Sequence, residues 1–170
     1  MSVIQTERLT LRLITLSDAP FLLRLLNSPG WLQYIGDRDV KTVADARAYI
    51  AERMLPVADG EVLGNFCCIR QKTGEVLGTC GIYQRATLEH PDLGYAFLSE
   101  FWGHGFAREA AQAILANYCA KRPGQPITAF TTVDNTRSIN LLEKIGFRRN
   151  GFFLLDGDDE ELVLFTYNTN

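Results

Sequence analysis

Apolar and polar residues alternate over Arg8-Leu9-Thr10-Leu11-Arg12-Leu13 and close on Ile14, the two-residue period of a strand with one buried face. The period then lengthens. Phe21, Leu22, Leu25 and Leu26 share a helical face behind Ser17-Asp18-Ala19-Pro20, which predicts Ser17 as N-cap and a proline in the first turn. Asn27-Ser28-Pro29-Gly30 ends that helix, and Trp31 to Gly36 reads as a loop whose aromatics line a pocket or pack beneath it. Thr42-Val43-Ala44-Asp45 has the spacing of an acidic capping box. It opens a second helix through about residue 54, with Val43, Ala46, Ile50 and Met54 at helical spacing and Pro56 as its stop.

Strands return at 62–69 and 75–83, joined by a connection in which Gly74 supplies positive φ, and again at 92–98 after a polar loop. Three strands in succession predict an antiparallel meander. The clearest helical period follows: Phe106, Ala110, Ile114 and Tyr118 form one row, and Ala107, Ala111, Leu115 and Cys119 the next. Glu109 near its start and Lys121 near its end match the helix dipole, and Pro123-Gly124 terminates it. A strand at 127–133, a helix over 136–145 capped by Asp134-Asn135 and closed by Gly146, and a hairpin of strands at 147–155 and 162–168 complete the chain. The order β-α-α-β-β-β-α-β-α-β-β predicts an α/β (α+β) fold in one domain over 1–170, with a mixed, mostly antiparallel sheet of about seven strands and about four helices.

Composition narrows the class without naming it. At 170 residues and 46% hydrophobic the chain can bury a full core, and a net charge of −3 gives no support to nucleic-acid binding. No apolar run is long enough for a membrane helix, and residues 1–8 lack a signal-peptide layout, so a cytoplasmic location is expected. The four cysteines include no C-x-x-C and the two histidines, His90 and His104, stand apart, so the thiols read as small buried hydrophobes and no metal site is expected.

Candidate chemistry starts at Trp102-Gly103-His104-Gly105-Phe106-Ala107, a two-glycine turn before the long helix. Glycines let a ligand approach the backbone, and the helix start offers unpaired N–H groups. No lysine follows either glycine, so the turn is no P-loop. The third small residue of the dinucleotide fingerprint is absent, because Arg108 stands there. A pyrophosphate held by the amides of 103–108 remains, beside plain turn chemistry. A second polar helix start, Asp134-Asn135-Thr136-Arg137-Ser138, favours the ligand reading.

These segments together resemble the GNAT family of acyl-CoA-dependent N-acetyltransferases, and more narrowly its branch that acetylates the N-termini of ribosomal proteins. The resemblance runs from Thr6-Glu7-Arg8-Leu9-Thr10-Leu11-Arg12 through Gly78 to Ile82, Leu93 to Leu98 and Phe101 to Ala110, and ends with Asn135 to Ser138 and Glu143 to Phe147. It implies a sheet splayed between the strands at 92–98 and 127–133, acetyl-CoA as cosubstrate, and an amine acceptor. By the same resemblance, Gly103, His104, Gly105, Phe106, Ala107 and Arg108 hold the pyrophosphate. Phe97 and Leu98 pair with the pantetheine arm, and Asn135 hydrogen-bonds it. Trp102 stands where many relatives have Arg or Gln, and His104 where Lys or Arg is more usual.

Acetyl transfer from a thioester to an amine needs a proton acceptor for the amine, a donor to the tetrahedral oxyanion and stabilisation of the departing thiolate. Asp92, where relatives often carry Glu, is the candidate base through an ordered water, unless it only opens a strand after Pro91. A backbone N–H near Phe97 is the oxyanion donor. The tyrosine many relatives place four residues after Ser138 is Leu142 here, which leaves Ser138 as the hydroxyl. The acidic run 156–161 either draws a cationic amine or is a solvated turn. Three readings stand: transfer to a protein N-terminal amine, transfer to a small amine such as an amino acid, polyamine or antibiotic, and a non-catalytic acyl-CoA-binding module. The family occurs as monomers and homodimers.

Overall fold

The structure, a computed structural model, describes residues 3–55, 63–154 and 160–169. The alternating segment forms β2 (Leu9–Leu13), and a short strand not expected from the sequence, β1 (Val3–Gln5), pairs with it. Thr15, rather than Ser17, caps the next turn: its hydroxyl and the Asp18 carboxylate form a reciprocal capping box, and α1 spans Ala19–Leu26. Asp18 also takes both terminal nitrogens of Arg12, at 2.7 and 2.8 Å, which fixes the helix start to β2.

The expected loop at 31–36 is mostly helical. Pro29 opens α2 (Pro29–Tyr34) at a position where its missing N–H costs nothing. Gly30 is required there, because a Cβ would lie 2.3 Å from the Trp102 ring. Helix α3 (Val43–Arg53) starts on the predicted Thr42–Asp45 box, with Ala46 and Ile50 buried but Val43 exposed. Its predicted stop, Pro56, lies outside the described residues.

The meander follows as β3 (Gly64–Arg70), β4 (Val76–Tyr83) and β5 (Asp92–Phe97). Next come α4 (Phe106–Lys121), β6 (Ile127–Thr132), α5 (Thr136–Lys144), β7 (Arg148–Leu154) and β8 (Glu161–Tyr167). The eight strands make one sheet in the order β1-β2-β3-β4-β5-β6-β8-β7. Of the acidic run, residues 156–159 lie outside the described residues.

Side-chain alternation gives the sheet two covered faces. Leu11, Cys80, Ile82, Leu93, Phe97, Ala129 and Phe165 pack beneath α4 and α5. Ile14, Cys67 and Leu98 pack with α1 and α3 on the other side. The adjacent Cys67 and Cys68 accordingly fall in different clusters, and all four cysteines are free thiols. Burial pushes the Cys67 and Cys80 thiols up to about 12.

Every strand pair is antiparallel except β5–β6, which is parallel and held by the single bridge Asp92–Thr128. Beyond that bridge the strands separate, as the resemblance implied. The bond from Leu98 N–H to the Leu77 C=O fixes the β4–β5 ladder at one end. That from Thr128 N–H to the Pro91 C=O marks the β6 side at the other. Alternation between them turns the backbone groups of Tyr95 and Phe97 away from β4 and into the gap.

Candidate active site

The glycine turn adopts the conformation its sequence requires. Gly103 and Gly105 have φ of 77° and 81°, and Gly105 is the N-cap of α4. The first intrahelical bond runs from Glu109 N–H to the Gly105 C=O, so the N–H groups of Phe106, Ala107 and Arg108 point outward from the helix start without intrahelical partners. No side chain crowds Gly103: a Cβ there would meet nothing within 4 Å.

The turn is braced from the start of the chain. Arg8 donates from Nη1 to the His104 C=O at 2.9 Å and from Nε to Glu109 at 2.7 Å. Its guanidinium also stacks 4.5 Å above the Phe106 ring. Glu109 further accepts from Thr6 Oγ1 and the Arg8 N–H, at 2.6 and 2.8 Å. Burial would raise its carboxyl, but these donors hold it below the usual range. The Thr6-Glu7-Arg8 segment of the resemblance is thus a structural brace for the turn. Beside it lies a hollow of about 530 Å³ lined by Glu7, Arg8, Arg70, Lys72 and His104, in which Arg70 and Lys72 set positive charge against the single Glu7 carboxylate next to the exposed amides. This hollow flanks the turn and is separate from the β5–β6 gap.

Trp102 joins the turn to the gap. Its indole N–H donates to the Phe97 C=O at 2.8 Å, and Arg137 of α5 lies 4.7 Å over its ring. The end of β5, the glycine turn and the start of α5 therefore meet at the open end of the gap. Leu98 contributes differently from the expectation that it pairs with pantetheine. Its N–H is taken by Leu77, its C=O accepts from Phe101 N–H, and its side chain is buried in the α1–α3 cluster.

Asn135 is the N-cap of α5 and accepts from Ser138 N–H at 3.1 Å. Among the described residues no acceptor takes its amide nitrogen, which faces the helix start. Ser138 Oγ lies 2.8 Å from the Tyr95 hydroxyl, a contact that no spacing along the chain predicts. Leu142, at the position where many relatives carry a tyrosine, is buried in the core.

Asp92 sits apart from this group, at the closed vertex of the gap. Alternation along β5 places it on the α1–α3 face, opposite Tyr95 and Ser138. It is 1% exposed and accepts from Arg85 Nε at 2.9 Å. Arg85 in turn lies over Tyr83 and Phe130, at 5.6 and 5.2 Å from their ring centres. Burial raises the Asp92 carboxyl to about 6, and Arg85 limits the rise. Arg85, in the polar loop before β5, carried no signal in the sequence. Among the described residues no group of His, Cys, Asp or Glu is arranged to hold a metal, and no helix is long and apolar enough to cross a membrane.

Comparison with known proteins matches this arrangement. The acetyltransferase (GNAT) domain profile matches residues 8–148. The uncharacterized N-acetyltransferase p20 of Bacillus licheniformis is 32% identical over 153 residues, covering 89% of this chain and 85% of that protein. An acetyltransferase of the GNAT family from Bacillus anthracis superposes with a TM-score of 0.80 at 23% identity, covering 98% of each chain. RimL, a ribosomal L7/L12 α-N-protein acetyltransferase in complex with coenzyme A, superposes with a TM-score of 0.74 at 18% identity, covering 99% of this chain and 98% of that one.

Proposed function

The chain belongs to the GNAT acetyltransferase family and is an acyl-CoA-dependent N-acyltransferase. On that premise we propose that it moves an acetyl group from acetyl-CoA directly to the α-amine of a protein N-terminus. The observation that carries the reading is the single-bridge opening between β5 and β6, which leads onto the glycine turn at the start of α4. The two features complement the two halves of acetyl-CoA. The outward amides of 106–108, with the positive end of the α4 dipole, suit the pyrophosphate. The inward Tyr95 backbone groups and the Phe97 N–H suit the amide-bearing pantetheine arm, which pairs as an added strand, while the Phe97 C=O is held by the Trp102 indole.

Transfer then needs few side chains. The Phe97 N–H polarises the thioester carbonyl and stabilises the oxyanion formed on attack. Asp92 accepts the amine's proton through water. Its elevated pKa suits a base that works near neutral pH, and its burial rules out a direct approach by a bulky acceptor. Ser138 hydrogen-bonds the departing sulfur. Asn135 Nδ2 steadies the pantetheine, while Leu98 acts through packing. The continuous sheet from β1 to β7 supports a single N-acetyltransferase domain over 1–170. The four free thiols, those of Cys67, Cys68 and Cys80 buried, fit a cytoplasmic enzyme.

Ribosomal-protein acetyltransferases among the proteins of similar fold support the N-terminal acceptor, and a spermidine N-acetyltransferase that superposes equally well keeps a small amine as the second reading. A thiol-release assay tests it, with acetyl-CoA offered to short peptides carrying a free N-terminus, to the same peptides blocked, and to amino acids and polyamines. Release that needs the free peptide N-terminus is expected. A preference of about tenfold or more in kcat/KM for a polyamine or free amino acid would overturn the acceptor assignment.

A further inference from the structure

Ser138 lacks the expected tyrosine one helical turn behind it, yet a phenol reaches it from the sheet. Tyr95 Oη is 2.8 Å from Ser138 Oγ and 3.4 Å from the Ser138 carbonyl, across 43 residues of sequence. Both partners are held. Tyr95 belongs to β5, where its strand is paired to β4, and Ser138 is fixed by the bond from its own N–H to Asn135. Each hydroxyl carries one hydrogen, so a hydrogen bond between them uses one and leaves the other for a third atom. Either hydroxyl can donate to the other, and with Tyr95 as donor the Ser138 hydrogen is the one left to turn toward the gap between β5 and β6.

We propose that Tyr95 is a positioning residue for thioester cleavage: it donates to Ser138 Oγ and so turns the Ser138 hydroxyl hydrogen toward the sulfur leaving in the gap. The proposal rests on the reading of that gap as the acetyl-CoA site. When the tetrahedral intermediate collapses, the oxyanion's electrons reform the carbonyl, the C–S bond breaks and its electron pair stays on sulfur. The amine's proton has passed to Asp92 through water, and the thiolate takes its proton from water afterwards. The Tyr95–Ser138 pair gives up no proton; it supplies a fixed dipole where negative charge appears. Burial holds the Tyr95 phenol well above its ordinary range, so it stays a donor throughout the working pH.

The test is a double-mutant cycle on kcat and KM for acetyl-CoA, with Tyr95→Phe, Ser138→Ala and both together, at a saturating acceptor amine. Tyr95→Phe keeps the ring and its packing. The acetyl-CoA-induced rise in melting temperature reports whether each variant still folds and binds. Each single change is expected to lower kcat roughly tenfold with KM within about twofold, and the double variant is expected to be no slower than Ser138→Ala alone, because the pair acts as a unit. An unchanged kcat in Tyr95→Phe, a loss confined to KM, or a double variant that falls by the product of the singles would overturn the proposal. Wild-type protein that releases no thiol with any amine would instead contradict the activity on which the proposal rests, and would remove both.

Discussion

At the scale of single residues, the site depends on contacts between side chains far apart in the chain. Asp92 was singled out because relatives in the resemblance often carry Glu there, and it does open β5. Its holder, Arg85, was not, because a lone arginine in a polar loop carries no period. Tyr95 was equally hidden: its parity along β5 places it with Phe97, which reads as core, and its bond to Ser138 appears only once α5 is docked. The Asp92 carboxyl gives the sharpest prediction at this scale. A base works only when ionised, so kcat/KM should fall as pH drops through about 6. Asp92→Asn should lose that limb and lower kcat on the order of 100-fold. The linkage has the opposite sign for stability. The folded value lies above the ordinary 3.8, so the ionised group costs stability at neutral pH, and the cost shrinks as pH falls below about 6. Asp92→Asn should therefore not lower the melting temperature at pH 7.5, and a rate profile that kept the wild-type limb would return Asp92 to a structural role.

At the scale of elements, long periodic segments were read correctly and short ones were not. Helices α3, α4 and α5 begin where capping residues or glycine placed them. Helix α2 was missed because Pro29-Gly30 looks like a stop, yet proline also starts helices and Gly30 is there for the Trp102 ring. The turn leading into the first helix is capped by Thr15 rather than Ser17, and the helix itself by Asp18, since Asp18 serves both the Thr15 box and Arg12. The brace on α4 is the element-level device with the clearest consequence. Glu109 accepts three hydrogen bonds from Thr6 and Arg8 while supporting the turn that precedes it. Glu109→Gln should cost about 2 kcal/mol and lower the melting temperature by roughly 4–8 °C. Because the native carboxyl is depressed, its contribution is present at neutral pH and lost as pH falls through the folded value. The deficit of the variant measured by thermal unfolding should therefore narrow in acid; an equal deficit at all pH would show that charge plays no part.

At the scale of the molecule, the order of the longer elements and the antiparallel meander followed from periodicity, because both are local properties. The parting of β5 from β6 did not. A parallel pair has no connecting turn to announce it, and the opening came from resemblance to a family before the structure gave it residues. What the whole fold accomplishes is to bring a glycine turn, an unpaired strand edge and a capped helix to one end of a gap in the sheet. The central claim is that this end holds acetyl-CoA. It is tested most directly by the rise in melting temperature on adding acetyl-CoA to the wild type and to Gly105→Glu, whose side chain would strain the left-handed N-cap at φ 81° and set a carboxylate against the phosphates. A clear rise for the wild type and none for a folded Gly105→Glu is the predicted result; an equal rise in both would contradict it.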